Sequence, residues 1–245
     1  MIAALLVLAL LGAWQLYVDR GGVEALILPS PTQIGEALVD DRALLWDDFL
    51  VTGSEVVLGI LAALALGLLC AVALHLWRPL RRATYPLLIG SQAIPIVIVA
   101  PLLIVWLGFG IAPKVAIIAL VCFFPVAVTT LDGLGRVDPD TLKLLRTLDA
   151  TRWQAFRFAE APAALPAALS GAKIAVAVAV IAAVLAEYSG SSAGLGHLVL
   201  QSIPQLETAR AWAAVAVLAA FAVALFYALD LVQRLLPWTR TERTS

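Results

Sequence analysis

The sequence has few charged residues. Asp, Glu, Lys and Arg make up 13% of its 245 residues, whereas they make up about a quarter of a typical soluble domain. Hydrophobic residues make up 62% of the chain, and the mean hydropathy is +0.99. This composition excludes an ordinary soluble domain and indicates an integral membrane protein.

The sequence also lacks the residues that several kinds of site require. Its two cysteines, Cys70 and Cys122, lie in apolar stretches, which argues against a disulfide framework or a thiolate metal site. No H-E-x-x-H motif predicts a metal centre, and no G-x-x-x-x-G-K-[S/T] motif predicts ATP binding. We therefore expect no metal, no cofactor and no catalytic residue, and any ATP hydrolysis must take place on another subunit.

Six charge-poor stretches are long enough to cross a bilayer as helices. We predict an all-α, polytopic bundle forming a single transmembrane domain over residues 1–245, with helices at about 2–18, 51–76, 86–109, 113–131, 167–188 and 211–233. A β-barrel is not favoured, because the stretches lack strict alternation. The first stretch has no basic segment before it, so we expect a retained helix rather than a signal peptide.

Basic residues are distributed unevenly among the predicted loops. One side of the bundle collects Arg78, Arg81, Arg82, Arg136, Lys143, Arg146, Arg152, Arg157, Lys173, Arg234, Arg240 and Arg243. The other side collects only Arg20, Arg42, Lys114 and Arg210. Because Lys and Arg accumulate in cytoplasmic loops, we expect both termini and the loop over residues 132–166 to be cytoplasmic.

Polar and small residues interrupt the apolar helices at a few positions. Ser91, Gln92, Pro95 and Pro101 lie in the third stretch, which predicts a kinked helix in which Gln92 either lines a substrate path or binds a neighbouring helix. Small residues recur every four positions in the second and fifth helices, at Gly59, Ala63, Gly67 and Ala71, and at Gly171, Ala175, Ala179 and Ala183. They predict close helix packing, although an Ala-rich helix also gives such a pattern by chance.

The loop over residues 132–166 carries the signals of a helical hairpin. Asp138-Pro139 predicts a helix start, and Thr151-Arg152-Trp153-Gln154 predicts a second one through a capping box. Asp149 between them lies where a left-handed backbone is common. Pro162 and Pro166 are expected to end the second helix. We expect a partner to dock on the apolar face of this hairpin, although a solvated loop and burial against the bundle itself stay open. That face is formed by Leu142, Leu145 and Leu148, with Leu144 beside them and with Trp153 and Phe156.

Six stretches follow one another along most of the chain, namely LPSPTQIGEAL, SQAIPIVIVAPLLIVWLGFGIAPKV, CFFPV, VDPDTLKLLRTLDATRWQAF, PAALPAALSGAKIA and AEYSGSSAGLGHL. Together and in this order they resemble the permeases of bacterial ABC importers for nitrate, sulfonate and taurine. Within this set, KLLRTLDA and CFFP look most similar to importers of the thiamine-precursor pyrimidine, with riboflavin importers close by. The hairpin is similar to the family's EAA loop, with Lys143-Leu144-Leu145 at the Glu-Ala-Ala triplet and Asp149 at its glycine.

The resemblance implies a type I ABC importer fold in the bacterial inner membrane, working as a homodimer. Two cytoplasmic ATPase subunits would bind the segment Leu142, Lys143, Leu144, Leu145, Arg146, Thr147, Leu148, Asp149, Ala150, Thr151 and Arg152. An extracytoplasmic solute-binding protein would deliver the substrate. Membrane lipid is a further expected partner, and nucleic acid is not. Our candidates for the path or its outer gate are Gln92, Pro95, Trp106 and Glu187.

The third helix combines apolar residues with amide and hydroxyl groups and has no cation, which favours a neutral heteroaromatic substrate, such as a pyrimidine. A sulfonate, taurine or nitrate importer is the alternative. An ion-coupled secondary transporter is a less favoured class, because ionisable groups are scarce at the predicted midplane. Gly190-Ser191-Ser192-Ala193-Gly194 fits G-x-S-x-G, but a nucleophile elbow needs a strand-to-helix turn. We therefore expect a transport subunit and no enzyme.

Overall fold

The computed structural model describes residues 2–24 and 26–235, and every regular element within them is helical. The helices are α1 (Ile2–Asp19), α2 (Pro31–Asp40), α3 (Arg42–Leu76), α4 (Arg78–Ser91), α5 (Ile96–Leu107), α6 (Ile111–Leu134), α7 (Pro139–Thr147), α8 (Arg152–Ala155), α9 (Ala161–Gly190), α10 (Leu195–Ser202) and α11 (Thr208–Leu235). A π-helical turn, Phe156–Glu160, joins α8 to α9. The predicted all-α fold is confirmed.

The number of membrane spans is only partly as predicted. Four described helices are long and apolar enough to cross a membrane, namely Arg42–Leu76, Ile111–Leu134, Arg152–Gly190 and Thr208–Leu235. Helices α4 and α5 qualify together as a fifth span, but they are bent by 102° at their junction. In α1 the described side chains form an apolar helical stretch, Leu5–Asp19, which is shorter than a full span. A count of six is therefore not fully confirmed.

The third predicted helix, 86–109, is broken rather than kinked. Helix α4 ends at Ser91, and Pro95 precedes the first residue of α5. A proline has no backbone N–H and disfavours helical backbone at the residue before it. Gln92, Ala93 and Ile94 therefore close short turns onto Ile89, Gly90 and Ser91 instead of continuing the helix.

The prediction that Pro162 and Pro166 end a helix was wrong. Both lie within one helical run, Arg152–Gly190. The π-helical turn immediately before Pro162 changes the hydrogen-bond register, since the amide of Ala161 binds the carbonyl of Phe156. Pro162 directly follows this change of register within the run, and Pro166 lies inside α9, so both prolines are accommodated in a continuous helix.

Contacts divide the chain into two compact units. Of the described residues, the first unit comprises those within 2–54 and 184–221, and the second comprises 55–183 and 222–235. Within the first unit, the rings of Trp14 and Trp212 meet edge to face at 5.4 Å. The Arg210 guanidinium also binds the Asp41 carboxylate there, with 2.7 Å between Nε and Oδ2.

Small residues bring helices together inside the second unit, as predicted. The stripe members Gly59, Ala63, Gly67, Ala71, Gly171, Ala175, Ala179 and Ala183 are all buried. A Cβ on Gly67 would lie 2.8 Å from Val126 Cγ1, so α3 approaches α6 closely. A Cβ on Gly171 would lie 2.8 Å from the carbonyl oxygen of Pro125. Dispersion between closely packed backbones holds such helices together where lipid removes the hydrophobic effect.

Candidate functional site

The predicted hairpin is built by local capping interactions. The Asp138 carboxylate accepts the Asp140 amide at 2.9 Å and starts α7. Asp149 has a left-handed backbone with φ of 57°. Its own amide and the amide of Ala150 close the end of α7. The Ala150 amide binds the Leu145 carbonyl at 3.0 Å, and the Asp149 amide binds the Arg146 carbonyl at 3.1 Å. This double closure is the Schellman arrangement.

The second helix of the hairpin starts at once. The Thr151 side chain accepts the Gln154 amide at 3.3 Å, and the Gln154 side chain accepts the Thr151 amide at 2.7 Å. These two hydrogen bonds confirm the predicted capping box. Two capped helix starts and one left-handed residue therefore fix a tight turn between α7 and α8.

The apolar surface of the hairpin differs from the predicted one. Leu144 and Leu148 are 61% and 70% exposed, and Trp153 is 59% exposed. Leu142 and Leu145 are half-buried. Residues four positions apart share a helix face, so the exposed apolar face is formed by Leu144 and Leu148 rather than by the leucines three positions apart.

A polar cluster ties the second helix of the hairpin to the end of α3. His75 Nε2 and Glu160 Oε2 are 2.8 Å apart, and both side chains are largely buried. Arg152 Nη2 donates to the His75 carbonyl oxygen at 3.2 Å. Phe156 is buried with its ring 6.4 Å from that of His75, and it stacks on the ring of Trp153 at 5.3 Å. The hairpin is thus attached to a membrane helix at a defined point.

Sequence analysis missed this cluster. His75 lies 85 positions from Glu160, and no local pattern relates the two residues. The one available signal is that Glu160 is a carboxylate among the apolar neighbours Ala159, Ala161 and Pro162. A buried carboxylate needs a partner, but only the structure shows that Glu160 is buried.

Three candidate path residues belong to the second unit: Gln92 and Pro95 lie at the break between α4 and α5, and Trp106 lies near the far end of α5. Gln92 caps the end of α4, and its amide lies 3.5 Å from Ser91 Oγ. Pro95 caps the start of α5, and Trp106 on α5 is 73% exposed. Gln92 and Pro95 are exposed as well. These residues present amide, hydroxyl and aromatic groups on an otherwise apolar surface.

The fourth candidate, Glu187, belongs to the first unit and is 1% exposed. Thr52 Oγ1 donates to its Oε1 at 2.6 Å, while the amides of Gly196 and His197 donate to its Oε2 at 2.6 and 3.1 Å. Gly194 has φ of +115°, and a Cβ there would collide with the Glu187 carboxylate. The carboxylate therefore organises the start of α10.

The remaining sequence motifs do not form a site. Residues 190–194 make a turn between α9 and α10, with no strand before Ser192, so a nucleophile elbow is not formed. Among the residues that the structure describes, no group of three or more His, Cys, Asp or Glu side chains is placed to hold a metal ion.

Comparison with known proteins decides the family. The sequence profile described as "Binding-protein-dependent transport system inner membrane component" matches residues 59–237. The chain belongs to this family. It is therefore the permease subunit of an ABC importer, and the matched segment includes the whole hairpin.

Relatives of this permease extend over nearly the whole chain. A "Probable ABC transporter permease protein" from Haemophilus influenzae is 35% identical, with 96% of each chain covered. The "Formylaminopyrimidine transport permease protein ThiX" from Halalkalibacterium halodurans is 32% identical, covering 96% of this chain and 94% of its own. The "Riboflavin transport system permease protein RibX" from Chloroflexus aurantiacus is 35% identical, covering 93% and 85%.

The permease also shares its fold with a solved structure. The structure is described as "Crystal structure of an amino acid ABC transporter with histidines" and has a TM-score of 0.62. The match covers 80% of this chain and 93% of that chain, at 17% identity.

Proposed function

We propose that this permease forms the membrane path of an importer for a thiamine-precursor pyrimidine or a related neutral heteroaromatic molecule. Relatives named for formylaminopyrimidine and riboflavin transport are 32% and 35% identical to it. Relatives named for taurine and aliphatic sulfonate transport are 30% and 28% identical. Family membership favours an importer over the ion-coupled secondary transporter.

The chemistry around the α4–α5 break supports a neutral substrate. No basic residue occurs between Arg82 and Lys114, so this part of the chain has no cation to balance a sulfonate or nitrate. Ser91 and Gln92 supply hydrogen-bonding groups there. Trp106, near the far end of α5, supplies an exposed aromatic face on which a flat ring can stack. We assign Gln92, Pro95 and Trp106 to the path on these grounds.

A sulfonate, taurine or nitrate importer is the second candidate, and the two sulfur-compound relatives favour it. Thermal shift of the partner solute-binding protein against pyrimidines, flavins and sulfonates distinguishes the two. We expect stabilisation by the pyrimidine alone or by pyrimidine and flavin. Stabilisation by taurine or an alkanesulfonate, with no response to the ring compounds, would overturn the proposal.

We further propose that two ATPase subunits bind the segment Leu142–Arg152 of two permease copies. The observation that carries this assignment is the exposure of Leu144 and Leu148 on a hairpin whose turn is fixed by caps at both ends. An exposed apolar face on a well-ordered element favours contact with another protein. ATP-driven closure of the two ATPase subunits would then move the hairpin, and the hairpin would move α3 and α9.

The proposed topology places both termini in the cytoplasm. It requires α1 and the bent α4–α5 pair each to cross the membrane once, in addition to the four long apolar helices. A phosphatase reporter fused after residue 245 should be inactive, since this enzyme matures only outside the cytoplasm. An active fusion at that end would show that the C-terminus lies outside the cytoplasm and would contradict the proposed orientation.

A further inference from the structure

A buried ion pair joins α3 to α6. Lys114 Nζ lies 2.6 Å from Glu55 Oε1, and the two side chains are only 9% and 2% exposed. The path and the hairpin described above give neither residue a role. Charged side chains within membrane-spanning helices are costly and rare, and those that occur commonly have a function.

Stability alone does not account for this pair. Lys114 lies in the first turn of α6, where the helix dipole disfavours a cation. Both charges also lose their water on burial, and replacing a buried ion pair by apolar residues of similar volume is often neutral or stabilising. Two apolar residues would therefore hold the helices together as well. What the ion pair adds is a directional contact that fixes position.

The ion pair continues a regular seam between α3 and α6. A Cβ on Gly59 would lie 2.6 Å from Ile118 Cβ, and a Cβ on Gly67 would lie 2.8 Å from Val126 Cγ1. In both of these contacts and in the ion pair, the partners are separated by the same 59 positions of the chain. The two helices therefore run in the same direction in one constant register, and the ion pair lies at one end of the seam.

Both helices are connected to the hairpin at the other end of the seam. Helix α6 ends at Leu134, shortly before the hairpin, and α3 carries His75, the partner of Glu160, in its last turn. Packed helices can slide past one another in shear motions. Glycines in the seam allow close approach but supply no side chain that opposes sliding. A slide of one helical turn, about 5.4 Å, would however separate two buried charges.

We infer that Glu55 and Lys114 are positioning residues that lock the register of α3 against α6. The lock makes the two helices follow the hairpin as one body instead of sliding along their seam. Movement then reaches the start of α6, which packs against α5, the helix of the candidate path residue Trp106. The inference rests on the proposed role of the hairpin as the ATPase-binding segment.

Disulfide trapping in the full-length permease measures the register without ATPase or substrate. The native thiols are removed by C70A/C122A. G67C/V126C then joins the two helices in register, since a Cβ on Gly67 would lie 2.9 Å from Val126 Cβ. G67C/T130C joins them only after a slide of one turn. The readout is the ratio of the two oxidation rates with copper phenanthroline.

This ratio is compared with and without the ion pair. E55L/K114M replaces both charges by apolar side chains of similar size, and we expect the in-register preference to fall at least threefold. E55K/K114E exchanges the two charges and should restore the preference, because it rebuilds the ion pair and places the carboxylate where the α6 dipole favours it. An unchanged ratio in E55L/K114M would overturn the inference.

Reconstituted vesicles containing the ATPase and the solute-binding protein test the consequence for transport. E55L/K114M should take up at least threefold less of the proposed pyrimidine per ATP hydrolysed, with an unchanged melting temperature and unchanged ATPase content, and E55K/K114E should restore the yield. A lower melting temperature with an unchanged yield per ATP would overturn the inference, because the pair would then be purely structural. Absence of pyrimidine uptake by the unmodified permease would contradict the proposed substrate instead, and the disulfide ratio would still decide the register.

Discussion

Glu160 in the π-helical turn and His75 at the end of α3 are joined by a contact of 2.8 Å between Oε2 and Nε2. The proposed ATPase-binding hairpin is thereby attached to α3, a helix long enough to cross the membrane. Arg152 strengthens the attachment by donating to the His75 carbonyl. A rotation of the hairpin would therefore be passed to α3 through this cluster as well as along the chain into α9.

Glu160→Ala removes one partner of this largely buried contact. We expect the free energy of unfolding to fall by about 1 to 3 kcal/mol, because His75 loses its hydrogen-bond partner. Substrate transported per ATP hydrolysed should also fall in reconstituted vesicles, because the hairpin is less firmly attached. Glu36→Ala is the matched control, since it makes the same change at an exposed carboxylate outside the hairpin. Equal effects of the two variants would contradict the assignment.

Asp149 provides a test of the turn. Its φ of 57° lies in the left-handed region, which costs a residue with a Cβ about 1 to 2 kcal/mol relative to glycine. We expect Asp149→Gly to stabilise the permease or leave it unchanged, and Asp149→Ala to destabilise it. Thermal unfolding followed by circular dichroism measures both. A more stable alanine variant would mean that the backbone at this position is not left-handed.

The close packing of α3 on α6 predicts a strong effect of one methyl group. A Cβ on Gly67 would lie 2.8 Å from Val126 Cγ1, so Gly67→Ala forces the helices apart. Overpacking of this kind costs about 1 to 3 kcal/mol. Gly90→Ala is the control, because nothing lies within 4 Å of its added Cβ. The melting temperature should fall for Gly67→Ala alone, and a similar change in both would contradict the packing.

Glu187 is the candidate path residue whose environment is most clearly structural. We expect Glu187→Ala to lower the free energy of unfolding by about 2 to 4 kcal/mol, because buried donors from Thr52, Gly196 and His197 lose their acceptor. Transport should fall with stability. If transport falls while the melting temperature is unchanged, Glu187 acts in the path rather than in the fold.

Local signals in the sequence predicted the hairpin well. Asp138-Pro139, Asp149 and the Thr151 capping box each involve residues within four positions of one another, and each is found as predicted. The composition predicted a membrane protein, and the charge-poor stretches without strict alternation predicted that it is all-helical. These features depend on backbone chemistry that neighbouring residues determine.

Features that depend on distant residues were not predicted. The contacts of His75 with Glu160 and of Thr52 with Glu187 cross 85 and 135 positions, and no local pattern pairs them. Pro162 was assigned a helix end because the π-helical turn that accommodates it has no recognisable signal. The third helix was predicted to be kinked but is broken before Pro95. The sequence could not distinguish the two, because proline causes both kinks and breaks.

The most direct test is whether the exposed face of Leu144 and Leu148 binds an ATPase subunit. The permease variant L144D/L148D is co-expressed with its ATPase and purified by a tag on the permease. We expect the ATPase to be lost from the complex and ATP-driven uptake to stop, while the melting temperature of the permease is unchanged, because both side chains are more than half exposed. Leu44→Asp, at another exposed leucine, should keep both. Retention of the ATPase and of uptake in L144D/L148D would contradict the assignment of the hairpin as the coupling site.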